Sequence, residues 1–226
     1  MLIKVCGMRD PRNIREVSEL GIDWIGFIFY HKSLRQLTNQ WTVDSGQLTV
    51  KEENTNAEQL SPVICQLSTD SSPAKVGVFV DATIKEMMEI ASDYRLDYLQ
   101  LHGDESPEDC HTLQKRGFSL IKAISVLSKE DLEKTKAYEG RVDYFLFDTK
   151  CSGYGGSGKS FDWSVLSDYR GDTPFLLSGG ISPESLEAVR HFSHPRFAGI
   201  DLNSGFEIEP GLKDVGKLRE FISHLK

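Results

Sequence analysis

The chain has 226 residues, of which 39% are hydrophobic and 27% charged, a globular composition with one core of substantial volume as the default. A net charge of −8 argues against a nucleic-acid surface, which needs clustered Lys and Arg to displace counterions, although it leaves room for one local anion site. The four cysteines, Cys6, Cys65, Cys110 and Cys151, form no C-x-x-C pair and no cluster with histidine, so no metal site is expected and reduced thiols in a cytoplasm are the simpler reading.

In chain order, the first apolar run, Met1–Val5, stops at Cys6-Gly7, too short for a signal segment or a membrane span. Seven further β-rich runs follow: Trp24–Phe29, Val76–Val80, Tyr98–Leu101, Leu120–Ile124, Tyr144–Phe147, Pro174–Leu177 and Phe197–Ile200. They are nearly continuous rather than alternating in polarity, the habit of parallel strands covered on both faces by helices. Between them, Asp10-Pro11, Ser106-Pro107 and Ser182-Pro183 each place a capping oxygen before a proline suited to a first helical turn, and Gly21 and Gly117 fall where helices would end. Strand and helix alternating to the end predict a single-domain α/β (β/α)8 TIM barrel over 1–226, with a doubly wound open sheet as the alternative. The interval from Phe29 to Lys75 is nearly twice the expected length. It reads as an insertion around 38–56 followed by a helix about Ala57–Leu67; the rival reading makes Gln47–Lys51 an extra strand.

Ligands of parallel βα proteins bind at the C-terminal ends of the strands, so the residues just after each apolar run carry the functional signal. They are Cys6-Gly7, Ser33 and Arg35, His102-Gly103-Asp104-Glu105, Asp148-Thr149, Ser178-Gly179-Gly180 and Asp201 through Gly205. Singly, each has a structural explanation: a buried thiol, an Asx-turn, a tight glycine turn or a packed histidine. Their collection on one rim points to a site. The loops bearing Gly179-Gly180 and Asn203-Ser204-Gly205 can aim backbone N–H groups and hydroxyls at one phosphate. Gly153–Ser160 also satisfies G-x-x-x-x-G-K-[ST], the nucleotide-binding P-loop pattern. A nucleotide-dependent phosphotransferase is therefore one rival function, and a catalytically silent phosphate-binding barrel is another. The polar residues between Phe147 and Gly153, and the short stretch left before the next strand, favour a glycine-rich lid instead.

With these residues assembled, the chain resembles the phosphoribosylanthranilate isomerases of tryptophan biosynthesis along nearly its whole length. The segments are Lys4–Gly7, Gly26–Phe29 with Ser33–Arg35, Lys75–Val80, Leu99–Gly103, Phe147–Thr149, Gly155–Gly158 with Phe161–Trp163, and Gly199–Gly205 through to Pro210–Asp214. The resemblance implies an acid–base Amadori isomerase with Cys6 as general base and Asp148 as general acid. It further implies Arg35 on the anthranilate carboxylate, Asp201 on the sugar hydroxyls, and Gly180, Asn203 and Ser204 on the phosphate. No metal or organic cofactor is implied. The expected partner is a small phosphorylated substrate, with no nucleic acid and no membrane, for a monomer or homodimer in the cytoplasm. Free Asp titrates near 3.9 and free Cys near 8.5, so both roles require the site to shift these groups toward neutrality. Three departures from the family stand out: Leu34 where Pro is usual, Asn203 where Ser is frequent, and the long interval after Phe29.

Overall fold

The computed structural model describes residues 1–37, 41–44, 47–50, 63–65, 67, 72–149 and 163–225. Eight parallel strands close into a barrel: β1 Leu2–Val5, β2 Trp24–Ile28, β5 Ala74–Phe79, β6 Tyr98–Leu101, β7 Ser119–Val126, β8 Tyr144–Thr149, β9 Phe175–Ser178 and β10 Phe197–Leu202. Each pairs with the next in chain order, and β1 joins β10 to close the ring, with Lys4 opposite Asp201. Closure excludes the open-sheet alternative.

The continuous apolar runs are explained by two separate cores, one on each side of the sheet. Inward-facing residues follow the two-residue period of a strand, and the lower lumen is filled by Trp24, Val76, Ile121, Ala123, Leu146 and Leu176. Outward residues such as Val5, Phe27, Phe79, Leu101, Phe147 and Ile200 pack in the second core, together with helix residues. The barrel floor has its own sequence device. Ile22-Asp23-Trp24, Leu96-Asp97-Tyr98 and Val142-Asp143-Tyr144 each put an aspartate one residue before a strand. Its carboxylate accepts the backbone N–H of the second residue of the neighbouring strand, from Ile3, Lys75 and Leu120 at 2.7–2.8 Å. The aromatic that follows then points inward, and Trp24, Tyr98 and Tyr144 pack together, Trp24 tilted against Tyr98 and Tyr144 edge-on to both.

The helices are α1 Pro11–Ser18, α2 Ile84–Tyr94, α3 Pro107–Lys115, α4 Leu186–His191 and α5 Val215–Leu225. Asp10 caps α1 and Ser106 forms a capping box with Asp109, as the Asp-Pro and Ser-Pro pairs predict. Gly117 follows α3 at φ +87° and Gly21 lies beyond α1 at φ +69°. Ser182 departs from this pattern: its hydroxyl bonds Glu184 and only a 3-10 turn, Pro183–Ser185, precedes α4. After β7 the connection is likewise 3-10, Lys129–Ala137, and after β8 the described part, Trp163–Asp168, is 3-10 as well. In the first of these, Leu132 and Thr135 are the buried pair, and a spacing of three is the one a 3-10 helix stacks on one side.

In the long interval after β2, strands β3 Trp41–Asp44 and β4 Gln47–Val50 form an antiparallel hairpin apart from the barrel. The extra-strand reading of Gln47–Lys51 is therefore the one that holds over Gln47–Val50, where Thr and Val favour an extended chain. Of the helix expected about Ala57–Leu67, Val63–Cys65 is helical and Ala57–Pro62 lies outside the described residues. The glycine-rich segment Gly153–Ser160, with Cys151, also lies outside them; the chain resumes at Trp163 in a 3-10 turn.

Candidate active site

The C-terminal ends of the strands surround a cavity of about 170 Å³ whose lining includes Cys6, Gln100, His102, Asp148, Ser178, Gly180, Asp201, Asn203 and Ser204. Six of the seven site residues expected from the sequence thus meet in one place: Cys6, Asp148, Asp201, Gly180, Asn203 and Ser204. Arg35 is not in this lining and stands beside it.

Cys6 follows β1, and its N–H donates to Leu202 O at 2.9 Å, extending the β1–β10 ladder by one residue. Its side chain fits because the neighbouring strand carries Gly26: a Cβ there would lie 2.7 Å from Cys6 Sγ. Two residues earlier on the same face of β1 stands Lys4, fully buried, whose Nζ donates to Asp201 Oδ1 at 2.9 Å. Burial pushes the Cys6 thiol up, Lys4 pulls it down and the Asp201 carboxylate pushes it up again, with a net rise. This is opposite to the shift toward neutrality that the base role predicts. The physical reason is that desolvation of the thiolate outweighs one cation already shared with a carboxylate.

Across the cavity, Asp148 ends the inward row of β8, and its Oδ2 is 3.7 Å from His102 Nε2. His102 Nδ1 in turn lies 2.9 Å from Gln100 Nε2. With the amide donating, the neutral imidazole carries its proton on Nε2, toward Asp148. The loop bearing His102 is held from below by Lys122, which donates to Leu101 O, Gly103 O and Glu105 Oε2, while Glu105 accepts the N–H groups of Asp81 and Gly103. Gln100 is 1% exposed, and its Oε1 has no hydrogen-bond partner among the described residues, leaving a buried acceptor on the cavity wall.

The two loops expected to hold a phosphate lie against each other. A Cβ on Gly205 would come within 2.2 Å of Ile181 O, so only glycine lets the loop after β10 pack against the loop after β9. Gly179 and Gly180 have φ of +86° and +67°, a left-handed backbone that favours glycine.

Arg35 is gripped by Glu207 of strand β11 (Glu207–Glu209), with Nε and Nη2 donating to the carboxylate at 2.6–3.0 Å. Glu207 also takes Lys213 Nζ at 2.5 Å and Gly211 N at 3.1 Å. Lys213, on strand β12 (Leu212–Lys213), reaches Asn203 Oδ1 at 2.8 Å and is fixed by paired backbone bonds to Asn13 of α1. The pair to Glu207 uses the Nε–Nη2 edge of the guanidinium, and no described residue accepts a hydrogen bond from Nη1.

Sequence reasoning about strand ends missed Lys4, Gln100, Glu207 and Lys213. A signal existed for the first two, since a Lys and a Gln interrupt otherwise apolar strands; Glu207 and Lys213 are brought in by a small second sheet with no such signal.

Fold and site together define a (β/α)8-barrel enzyme with a thiol, a carboxyl group and two glycine-bearing loops at its C-terminal mouth. The family model described as N-(5′-phosphoribosyl)anthranilate (PRA) isomerase matches residues 35–224. An N-(5′-phosphoribosyl)anthranilate isomerase of Parabacteroides distasonis is 64% identical over 225 residues, covering 100% of this chain and 93% of the relative. One from Phocaeicola vulgatus is 44% identical over 226 residues, covering 100% and 98%. The crystal structure of phosphoribosyl anthranilate isomerase from Thermotoga maritima superposes with a TM-score of 0.79 at 30% identity, over 100% of this chain and 98% of that one. A phosphoribosyl anthranilate isomerase solved with reduced 1-(o-carboxyphenylamino)-1-deoxyribulose 5-phosphate gives 0.75 at 26% identity, with the same coverage. The chain belongs to the N-(5′-phosphoribosyl)anthranilate isomerase family and is an isomerase. Among the described residues no helix is long and apolar enough to cross a membrane.

Proposed function

We propose that this chain converts N-(5′-phosphoribosyl)anthranilate into the 1-deoxyribulose 5-phosphate aminoketose, the Amadori step of tryptophan biosynthesis. The observation that carries the reading is the meeting of Cys6 and Asp148 in one small cavity bounded by the Gly180 and Asn203-Ser204 loops. Asp148 in its acid form gives a proton to the furanose ring oxygen, and the ring opens to a Schiff base. The Cys6 thiolate then takes the C2′ proton, the electron pair passes into an enolamine, and tautomerisation gives the ketone. Each step is a proton transfer or a bond shift within the substrate, so the reading calls on no metal and no organic cofactor.

Around this pair, the free end of the Arg35 guanidinium suits the planar anthranilate carboxylate. Asp201, bonded to Lys4 through one oxygen and 3.4 Å from Ser178 Oγ through the other, has lone pairs for a sugar hydroxyl. Gly180, Asn203 and Ser204 take the phosphate. The reading has one catalytic domain over 1–226 with an insertion around 38–56, acting as a monomer or homodimer in the cytoplasm on a phosphorylated small molecule. The test is incubation with N-(5′-phosphoribosyl)anthranilate, following loss of its fluorescence. Catalysed loss in wild type but not in Cys6→Ala or Asp148→Asn supports the reading. No loss with folded wild-type protein overturns it.

A further inference from the structure

A lysine whose side chain is wholly shut off from solvent needs a reason. Lys4 is 0% exposed in the barrel lumen and pairs with Asp201, itself 6% exposed. Buried ion pairs are weak sources of stability, because desolvating both ions cancels most of their attraction and apolar residues of similar volume do as well or better. The strand geometry supplies another reason. Lys4 and Cys6 are two apart on β1 and so project to the same face, one layer from each other. The parallel register puts Asp201 directly opposite Lys4. The ammonium therefore lies between the Asp201 carboxylate, 2.9 Å away, and the Cys6 thiol one layer on.

We propose that Lys4 is the counter-cation of the Cys6 thiolate, a positioning residue that stabilises the proton-accepting form of the sulfur against the burial that disfavours it, with Asp201 serving to hold the ammonium in place. The catalytic consequence rests on the base role of Cys6 proposed above. The charges that face Cys6 are Lys4 from its own strand, Asp201 from β10, Lys213 from β12 and Arg35 from the loop after β2, while His102 and Asp148 share its cavity. Lys4 is the largest influence favouring the thiolate, ahead of Lys213. Arg35 and Lys213 are both committed to Glu207. Lys4 instead shares its charge between Asp201 and the sulfur.

The experiment is a pH titration of the Cys6 Cβ resonance in protein labelled with [3-¹³C]cysteine, assigned through Cys6→Ala. It reads the thiol in the free protein without substrate. Lys4→Met should raise the Cys6 midpoint by about 1–3 pH units, the effect of losing an opposite charge at close range. Because that variant also leaves Asp201 unpaired, Lys4→Met/Asp201→Asn is compared with Asp201→Asn alone, and the midpoint should rise there too. Lys4→Arg should keep it close to wild type, and the basic limb of the kcat/KM profile should move with the midpoint across the series. A midpoint unmoved between Asp201→Asn and the double variant overturns the proposal. Failure of the base assignment is seen separately, as turnover surviving in Cys6→Ala. If the midpoint still rises on loss of Lys4, the counter-cation stands and only its catalytic use is withdrawn.

Discussion

Glu207→Gln perturbs the rim at its most connected point. The Glu207 side chain is 6% exposed and binds Arg35 by two nitrogens, Lys213 and the Gly211 N–H. Burial works against its charge, yet the hydrogen bonds from Arg35 and Lys213 hold the carboxyl at about 2, below an ordinary 4.5. At about 1.4 kcal/mol per pH unit, that depression corresponds to roughly 3 kcal/mol in favour of the folded state. Arg35 is 24% exposed, and solvent screening brings the expected contribution to about 2 kcal/mol. Because the folded carboxyl titrates below the unfolded one, this stability is present above the unfolded value near 4.5 and is lost as pH falls through about 2. Urea denaturation of wild type and Glu207→Gln should show a gap of about 2 kcal/mol at pH 7, shrinking by about half at pH 3. Arg35 also loses its anchor, so KM for the anthranilate substrate should rise more than kcat falls. An unchanged gap at pH 3, or none at pH 7, refutes the reasoning.

Cys6→Ala and Asp148→Asn should each lower turnover by about 100- to 10,000-fold with ligand affinity largely kept, as measured by steady-state fluorescence and ligand titration. Gly26→Ala should cost about 1–3 kcal/mol by overpacking, since its Cβ would lie 2.7 Å from Cys6 Sγ. Displacing that sulfur by about 1 Å should slow turnover by about 100-fold, while a fully active variant would show that the position of Cys6 is uncritical. Lys159→Ala should keep isomerase activity within about tenfold, because the isomerase reading gives that charge no part in the proton transfers. Magnesium-dependent ATP binding that disappears in this variant would restore the nucleotide reading.

The eight strands were legible because burial on both faces of a parallel sheet demands continuous apolar runs, and runs such as Tyr98–Leu101 have few other uses. The caps at Asp10 and Ser106 were legible for an equally local reason: one side-chain oxygen and one proline settle a first helical turn. The 3-10 connections after β7 and β8 were not, because a few buried contacts decide between two helices of similar local preference. Of the hairpin, the rival reading caught the strand at Gln47–Val50 but not its partner Trp41–Asp44, whose pairing lies outside the period that marked the barrel.

Local order along the chain was enough to tell which chemical groups stand at the strand ends, and therefore that a thiol, a carboxyl group and two glycine-bearing turns share one rim. What surrounds them was settled by contacts between distant parts of the chain. The opposition of Lys4 and Asp201 depends on a register between strands 197 residues apart in the chain. The grip of Glu207 on Arg35 spans 172 residues, and the orphaned oxygen of Gln100 exists only once the lumen has closed around it. Charge and desolvation act through space, so the protonation state of Cys6 was set by neighbours that no local reading of Lys4–Gly7 could place.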